Sequence, residues 1–304
     1  MSFILFPGTR LALALESLTG LSVGDALGAQ LSSAGPLGSF ADAGDPAGVP
    51  PAPWSWTDDT EQACCLITVL AEGDFDRDAF ADELGRRHDP ARGYGSGAAG
   101  LLREIRDGLP WPIAAAAAFD GQGSAGNGAA MRAAPLGAWH ADSIAHAAAQ
   151  GVRAAEVTHA HPEGIAGGVA VTVAAAVATA GRLDGRRPAL LRAVTTHTPE
   201  GRVRDGLRVA GRLTDPIEAA RELGTGARAL ARDTVPFAVW VADRFLDDYP
   251  AAIRACVRAG GDVDTTCAIA GGIVAAYTGA DGIPAAWRSA REPLPAWLAA
   301  ATAG

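Results

Sequence analysis

Two short stretches of the chain concentrate carboxylates and hydroxyls: Trp56-Thr57-Asp58-Asp59-Thr60, and, toward the other end, Gly260-Gly261-Asp262-Val263-Asp264-Thr265-Thr266. Like charges this close cannot all stay ionised in a partly buried site unless a cation or several donors compensate them. Carboxylate and hydroxyl oxygens are the ligands of hard divalent ions, so the chemistry these residues suit is the binding of magnesium or a similar metal, with the two stretches meeting to hold it. A simpler alternative is capping. Thr and Asp ahead of a helix are ordinary N-caps, acids in a first turn complement the helix dipole, and both stretches lead into residues that read as helix starts, Glu61 to Leu66 and Cys267 to Ala270. Asp262-Val263-Asp264 also opens like a calcium loop, but Cys267 stands at the sixth position where that loop needs Gly, and Ile273 at the twelfth where it needs Glu. The occurrence of both clusters in one chain favours the metal.

Composition narrows the setting. With 304 residues, 49% hydrophobic and 19% charged, the chain is globular and can bury a substantial core. Its formal charge of -9 argues against a nucleic-acid surface, which needs a basic stripe. An anionic ligand would have to be neutralised by metal ions and backbone N–H groups. Cys64, Cys65, Cys256 and Cys267 form no Cys-x-x-Cys pair, so neither a zinc framework nor a redox motif is expected, and the cytoplasm is the default location. Met1 to Phe6 is too short for a signal peptide, and the longest apolar run, Ala166 to Ala180, falls short of a membrane span. No membrane contact is expected, and a monomer is the default.

Helices must carry the two clusters. From Thr9 to Gly28 the residues Leu11, Leu15, Leu18 and Leu21 recur at helical spacing, while Gly20, Gly24 and Gly28 repeat every four on another face. Each interior glycine costs a helix about 1 kcal/mol relative to Ala, so three in register predict close backbone approach of another element. Asp25 lies within that stripe, either buried and hydrogen-bonded or next to a site. Ser32 to Trp54 reads as a loop dense in Gly and Pro; it feeds directly into the first acidic cluster and is expected to cover the site. Further helices are expected over Asp58–Glu72, Phe75–His88, Ala98–Arg106, Ile113–Phe119, Asp142–Gln150 and Val152–His159. Others follow near Pro162–Ala180, Pro188–Thr196, Gly201–Gly211, Pro216–Leu223, Val235–Phe245, Pro250–Ala259 and Asp264–Thr278. No stretch alternates as a strand. The expected fold is all-α, a single domain over residues 1–304, with alanine and glycine permitting tight helix packing.

Two glycine-rich segments open helices: Gly95-Ser96-Gly97, and Gly121-Gln122-Gly123-Ser124-Ala125-Gly126-Asn127-Gly128 ahead of Ala129-Ala130-Met131-Arg132. Such junctions gather unpaired N–H groups that suit an anion, with Ser124 and Asn127 as side-chain donors. An ordinary turn is the alternative, since the Lys-Ser or Lys-Thr of a P-loop and a preceding strand are both missing. His159 and His161 flank Ala160, but no third nitrogen or thiolate ligand lies nearby, which speaks against zinc. A helix-end contact to a carbonyl or sugar hydroxyl suits them better. His88, His140, His146 and His197 read as surface or capping residues. With no Gly-x-Ser-x-Gly nucleophile motif, catalysis would run through metal-assisted attack by water.

Taken in order, Gly24-Asp25-Ala26-Leu27-Gly28, Thr57-Asp58-Asp59-Thr60, Gly95-Ser96-Gly97, Gly126 to Arg132, Thr158-His159 and Gly261-Asp262-Val263-Asp264-Thr265 resemble the ADP-ribosylglycohydrolases across almost the whole chain. That resemblance implies a compact all-helical domain around two divalent ions, Mg2+ or Mn2+, with ADP-ribose or an ADP-ribosylated protein or small molecule as partner. By position, Thr57, Asp58 and Asp59 would supply one half of the ligands and Asp262, Asp264 and Thr265 the other, with Asp58 and Asp59 also carrying catalysis. The loop of Gly123, Ser124, Gly126, Asn127 and Gly128, followed by Met131, would cradle the pyrophosphate. Phe119 would stack the adenine, Gly95 and Gly97 would border the distal ribose, and His159 would stand on the ribose side. Many members carry a glutamate four residues beyond the Gly-Asp-Ala-Leu-Gly run, where this chain has Ser32. Proton transfer would then fall to a metal-bound carboxylate such as Asp59 or to another acid, or the protein would be a non-catalytic ADP-ribose-binding relative.

Overall fold

The computed structural model describes residues 4–33 and 49–303. Among them there is no strand, only two isolated β-bridges, Trp54 with Arg291 and Gly126 with Leu230. The fold is all-α, as expected. The first half of the chain forms α1 (Pro7–Ser33), α2 (Asp58–Ala71), α3 (Arg77–Arg87), α4 (Ser96–Arg106), α5 (Trp111–Gly121), α6 (Gly128–Met131), α7 (Ala134–Trp139) and α8 (Ile144–Glu156). The second half forms α9 (Pro162–Leu183), α10 (Leu190–His197), α11 (Arg202–Ala210), α12 (Pro216–Leu223) and α13 (Ala231–Arg244). It closes with α14 (Tyr249–Ala259), α15 (Val263–Thr278), α16 (Ala285–Ala290) and α17 (Ala296–Thr302).

Three long helices form the centre. α9 and α15 are apolar or small on nearly every face and are buried almost throughout, as a helix without a polar side must be. α9 is longer than the apolar run suggested. It is long and apolar enough to cross a membrane by length and composition alone, but 89% of its most apolar window is buried inside the fold. α1 lies along α15, and the glycine stripe is the reason it can: a Cβ on Gly20 would fall 2.4 Å from the Gly271 carbonyl oxygen, and one on Gly24 2.3 Å from that of Cys267. The predicted close approach is therefore a backbone-to-backbone crossing, made by the helix that carries the second acidic cluster. Two hydrophobic clusters share α1, α7 and α15, so no break in the core divides the described residues.

Several boundaries differ from the sequence reading. α1 continues to Ser33, so Ser32 is not in a loop; its hydroxyl donates to the Gly28 carbonyl 3.0 Å away, in the last turn. Most of the expected loop, and with it the expected cover over the site, lies outside the described residues. Asp142–Gln150 and Val152–His159 are one helix, α8. Gly151 does not end it, because this glycine is buried where a Cβ would stand 3.0 Å from Thr172 Oγ1 and 3.2 Å from Val169 Cα. α16 and α17, two short helices each entered through a proline, have no counterpart in the sequence reading.

Candidate metal centre and ligand cleft

The first acidic cluster sits at the entry of α2. Thr57 is the N-cap, and its hydroxyl accepts from the Asp59 N–H at 3.4 Å. Neither Asp58 nor Asp59 serves as the cap. Behind them Asp25, fully buried on α1, gathers four donors: the Thr57 N–H (2.9 Å) and hydroxyl (2.8 Å), and the Thr60 N–H (3.2 Å) and hydroxyl (2.5 Å). Both alternatives for Asp25 are therefore met, since it is buried and bonded and also holds the site's first turn. The approach to the cluster is pinned from the C-terminal side. Glu292 accepts from the Trp56 N–H at 3.0 Å, and Arg92 stacks over the Trp56 ring while donating to its carbonyl.

The second cluster opens α15. A Cβ on Gly28 would be 2.7 Å from Asp264 Cα, so α1 bears directly on the backbone of this cluster. Asp262 is the N-cap residue yet makes no side-chain capping bond. Its backbone N–H donates to the Thr225 carbonyl, and its Oδ2 accepts from Asn127 Nδ2 at 2.7 Å. Gly261, at φ +79°, lies so close to Thr225 that a Cβ would be 2.3 Å from its carbonyl oxygen. The capping alternative holds in part: Thr57 caps α2, and Asp58, Asp59 and Asp264 lie in the first turns of their helices, but none of these three is the N-cap, and Asp262, which is, makes no capping bond and is spent on a neighbouring loop.

Both clusters open onto one cleft of about 400 Å3, lined by Asp58, Asp59, Asp262, Asp264 and Thr265. Gly95, Gly97, Phe119, Ser124, Gly126, Asn127, Gly128, Met131 and His159 line it as well. Two of the expected site residues do not. Thr57 is half-buried beside Asp58, with its hydroxyl donating to Asp25, and Gly123 is buried against the backbone of Ala160 and His161. The Asn127 amide is not a free anion donor, because its two bonds go to Asp262 and to Thr234 Oγ1, tying the glycine loop to the second cluster. The helix that this loop opens is a single turn, α6, so its macrodipole is small and any anion must rely on the N–H groups of Gly128 and Ala129, which no intrahelical carbonyl serves. Phe119 and Asp120 break α5 with left-handed backbone (φ 54° and 56°), which leaves the Phe119 ring 62% exposed, within 3.5 Å of a Cβ placed on Gly97. Strain of this kind at two successive residues is the sort that functional clefts retain.

The histidines divide. His159 is buried in the cleft wall, whereas His161 caps α9 by accepting from the Glu163 N–H at 3.0 Å. His88 and His140 end helices as expected but are not surface residues: both are buried. Gln62, Arg132, Thr158 and Ala229 line the cleft without having been expected there. Gln62 could have been found as the residue one turn beyond Asp58, and Ala229 through the glycines of its loop, Gly224 and Gly226. Arg132 and Thr158 lie in runs that carry the family resemblance, but no role in the cleft was expected of either.

Electrostatics explain what the cleft needs. Burial, reinforced by the neighbouring acids Asp25 and Asp264, pushes the Asp58 carboxyl up to about 8. Burial likewise raises Asp25 to about 7, against the pull of its Thr60 and Thr57 hydrogen bonds, and Asp262 to about 7; Asp59 is raised well above the ordinary range. Asp59 Oδ1 is buried with no hydrogen-bond partner among the described residues. An orphaned carboxylate oxygen among mutually repelling acids fits an oxygen-loving cation, and the Thr57 and Thr265 hydroxyls fit its remaining positions. Among the described residues no three His, Cys, Asp or Glu side chains are already drawn together as a ligand set. The fit is thus one of donor chemistry.

A family model described as ADP-ribosylglycohydrolase matches residues 7–303. Human ADP-ribosylhydrolase ARH3 is 29% identical over 278 residues, covering 78% of this chain and 74% of its own. ADP-ribosylarginine hydrolase Tri1 of Pseudomonas putida is 28% identical over 306 residues, covering 93% and 75%. Among solved structures, one described as an ADP-ribosylglycohydrolase-related protein complex superposes with a TM-score of 0.66 at 28% identity, covering 97% of this chain and 96% of that one. An all-helical fold, two acidic clusters on one cleft and a match over nearly the whole length lead to one conclusion: the chain belongs to the ADP-ribosylglycohydrolase family.

Proposed function

We propose that this protein hydrolyses the glycosidic bond between ADP-ribose and an acceptor, such as the arginine of ADP-ribosyl-arginine, at a centre of two divalent ions, Mg2+ or Mn2+. Asp58, Asp59 and Thr57 would hold one side of that centre and Asp262, Asp264 and Thr265 the other. The observation that carries the reading is the convergence of both acidic clusters on a cleft that a glycine loop and an exposed aromatic ring also line. Bound divalent ions supply a water of lowered pKa and charge compensation beside the anomeric carbon.

The chain's own residues would do the rest. The Gly128 and Ala129 N–H groups face the diphosphate, Phe119 offers its ring to the adenine, and the acids orient the proximal ribose. In the reaction the water oxygen bonds to the anomeric carbon, the bond to the acceptor atom breaks, and the acceptor leaves with a proton. Ser32 cannot supply that proton relay, because its hydroxyl donates to its own helix and it carries no carboxylate. Asp59, with one oxygen free of partners, is the group with capacity to take and return a proton.

The test is release of free ADP-ribose from ADP-ribosyl-arginine in magnesium. Release that disappears in Asp58→Ala and in Asp264→Ala is the expected result. ADP-ribose binding without turnover in the unaltered protein would refute hydrolysis and leave a binding protein. Indifference of turnover to Phe119→Ala would refute the adenine contact and point to a smaller ribosyl substrate.

A further inference from the structure

Arg132 is 2% exposed, and every bond its guanidinium makes runs outward. One nitrogen donates to Gln62 Oε1; another donates to the Ala154 carbonyl (3.3 Å) and to Thr158 Oγ1 (2.7 Å). Guanidinium has donors and no acceptor, so each neighbour must meet it with an oxygen. That polarises both neighbours. Gln62, having given its oxygen to Arg132, turns its amide nitrogen toward Asp58 Oδ2, 3.4 Å away. Thr158, having accepted from Arg132, has one hydroxyl hydrogen left, and His159 Nδ1 at 2.7 Å is the only acceptor it meets among the described residues.

The imidazole then has no freedom. If Nδ1 carried the proton, two hydrogens would point at each other or the buried Thr158 hydroxyl would lose its acceptor, an expensive outcome for a buried group. Burial, with Arg132 nearby, lowers the His159 pKa to about 3, so the ring is neutral and its single proton must sit on Nε2. That nitrogen faces the glycine loop, 3.5 Å from where a Cβ would lie on either Gly126 or Gly128. The ring is held from the other side by Gly164, whose Cβ would be 2.9 Å from Cδ2.

We propose that Arg132, acting through Thr158, is a positioning residue that fixes His159 as the Nε2–H tautomer and so presents a hydrogen-bond donor to an anionic or hydroxylated ligand at the Gly126–Gly128 wall. The same cation orients Gln62 toward the acidic cluster, so one buried charge sets the polarity of both of its cleft-lining neighbours. The tautomer follows from the protein's own bonds. Its use in holding ADP-ribose rests on the function proposed above.

The experiment uses the full chain with 15N-labelled histidine and reads the two ring nitrogens of His159 by NMR, together with ADP-ribose affinity by calorimetry. The wild type is expected to show a protonated, pyrrole-type Nε2 and an unprotonated, hydrogen-bonded Nδ1. Thr158→Val, which keeps the shape but removes the hydroxyl, loses the hydrogen-bond shift at Nδ1, admits the other tautomer and weakens ADP-ribose binding by about ten-fold. Thr158→Ser restores both readouts, which a purely structural role would not require. Arg132→Gln, whose amide oxygen can accept from Thr158, releases the tautomer as well; should it not fold, the Thr158 pair still decides. A wild-type His159 protonated on Nδ1, or Thr158→Val with both readouts unchanged, overturns the proposal. The Nε2–H tautomer in a protein that binds no ADP-ribose would instead overturn the ligand reading while the relay stands.

Discussion

Gly28→Ala puts the positioning of the second acidic cluster to a direct test. Its Cβ would lie 2.7 Å from Asp264 Cα and 2.9 Å from both the Asp264 nitrogen and the Val263 carbonyl oxygen, whereas ordinary contact begins at 3.4 Å. Those atoms are backbone, so no side chain can rotate out of the way, and α15 must retreat by about 0.7 Å at Asp264. A site of this kind tolerates about 0.5 Å, and misplacement of about 1 Å can cost on the order of 100-fold in rate. Overpacking itself costs about 1–3 kcal/mol. Metal affinity is measured by calorimetry, with ADP-ribose release and thermal melting on the same samples. The expected result is at least about a ten-fold loss in metal affinity and in kcat/KM, with a melting temperature lower by several degrees. Gly20→Ala is the control. Its Cβ would meet Ala275 Cβ at 2.2 Å and Gly271 O at 2.4 Å, a more severe clash, but about 12 Å further along the helix by the rise per residue. It should lower the melting temperature and leave metal affinity nearly intact. Equal effects of the two substitutions on metal affinity, or none from Gly28→Ala, would refute the claim that the glycine stripe sets the cluster's position.

Metal-free protein should lose stability as pH rises from 6.5 to 8. Asp25 and Asp262 at about 7 and Asp58 at about 8 hold protons in the folded state that the unfolded chain has released above 3.8, so stability falls as pH rises toward each folded value, by at most about 1.4 kcal/mol per pH unit for a group still protonated, and the loss levels off first for Asp25 and Asp262 and last for Asp58. His159 and His140, held near 3 and 4 mainly by burial, act in the opposite sense but only below their ordinary 6.5. Melting of chelator-treated protein with and without magnesium checks this: a decline that magnesium abolishes is expected, and a flat metal-free profile contradicts it. Asp25→Asn replaces a carboxylate that accepts four hydrogen bonds by a group that must turn an N–H toward one of them, costing about 1–3 kcal/mol and loosening Thr57. Its expected signature is a melting temperature several degrees lower and weaker magnesium binding by calorimetry; wild-type values for both would show Asp25 to be dispensable.

What could be read from sequence was whatever local spacing encodes. Glycines four apart occupy one face of a helix, so Gly20, Gly24 and Gly28 announced a backbone crossing before its partner was known, and the crossing found joins α1 to α15. The acids of α2 and α15 stood out because unpaired carboxylates in so small a span need a reason. Spacing does not encode polarity or depth. Asn127 looked like an anion donor, yet its amide is bound to Asp262 from a distant helix, and only the tertiary structure shows it. Gly151 looked like a helix end because a glycine in isolation signals a break; here its missing side chain admits Thr172 of α9. His88 and His140 read as surface or capping residues; both do end helices, but neighbouring elements bury them. Arg132 and Thr158 gained their place in the cleft wall from the packing of α6 against α8, a contact with no local signal.

Anomalous diffraction at the manganese edge, from crystals soaked in Mn2+, measures the central claim. Peaks lying between the side chains of Asp58 and Asp59 on one side and of Asp262 and Asp264 on the other are the result predicted here. No peak at that position, or manganese bound by either helix entrance alone, would contradict it.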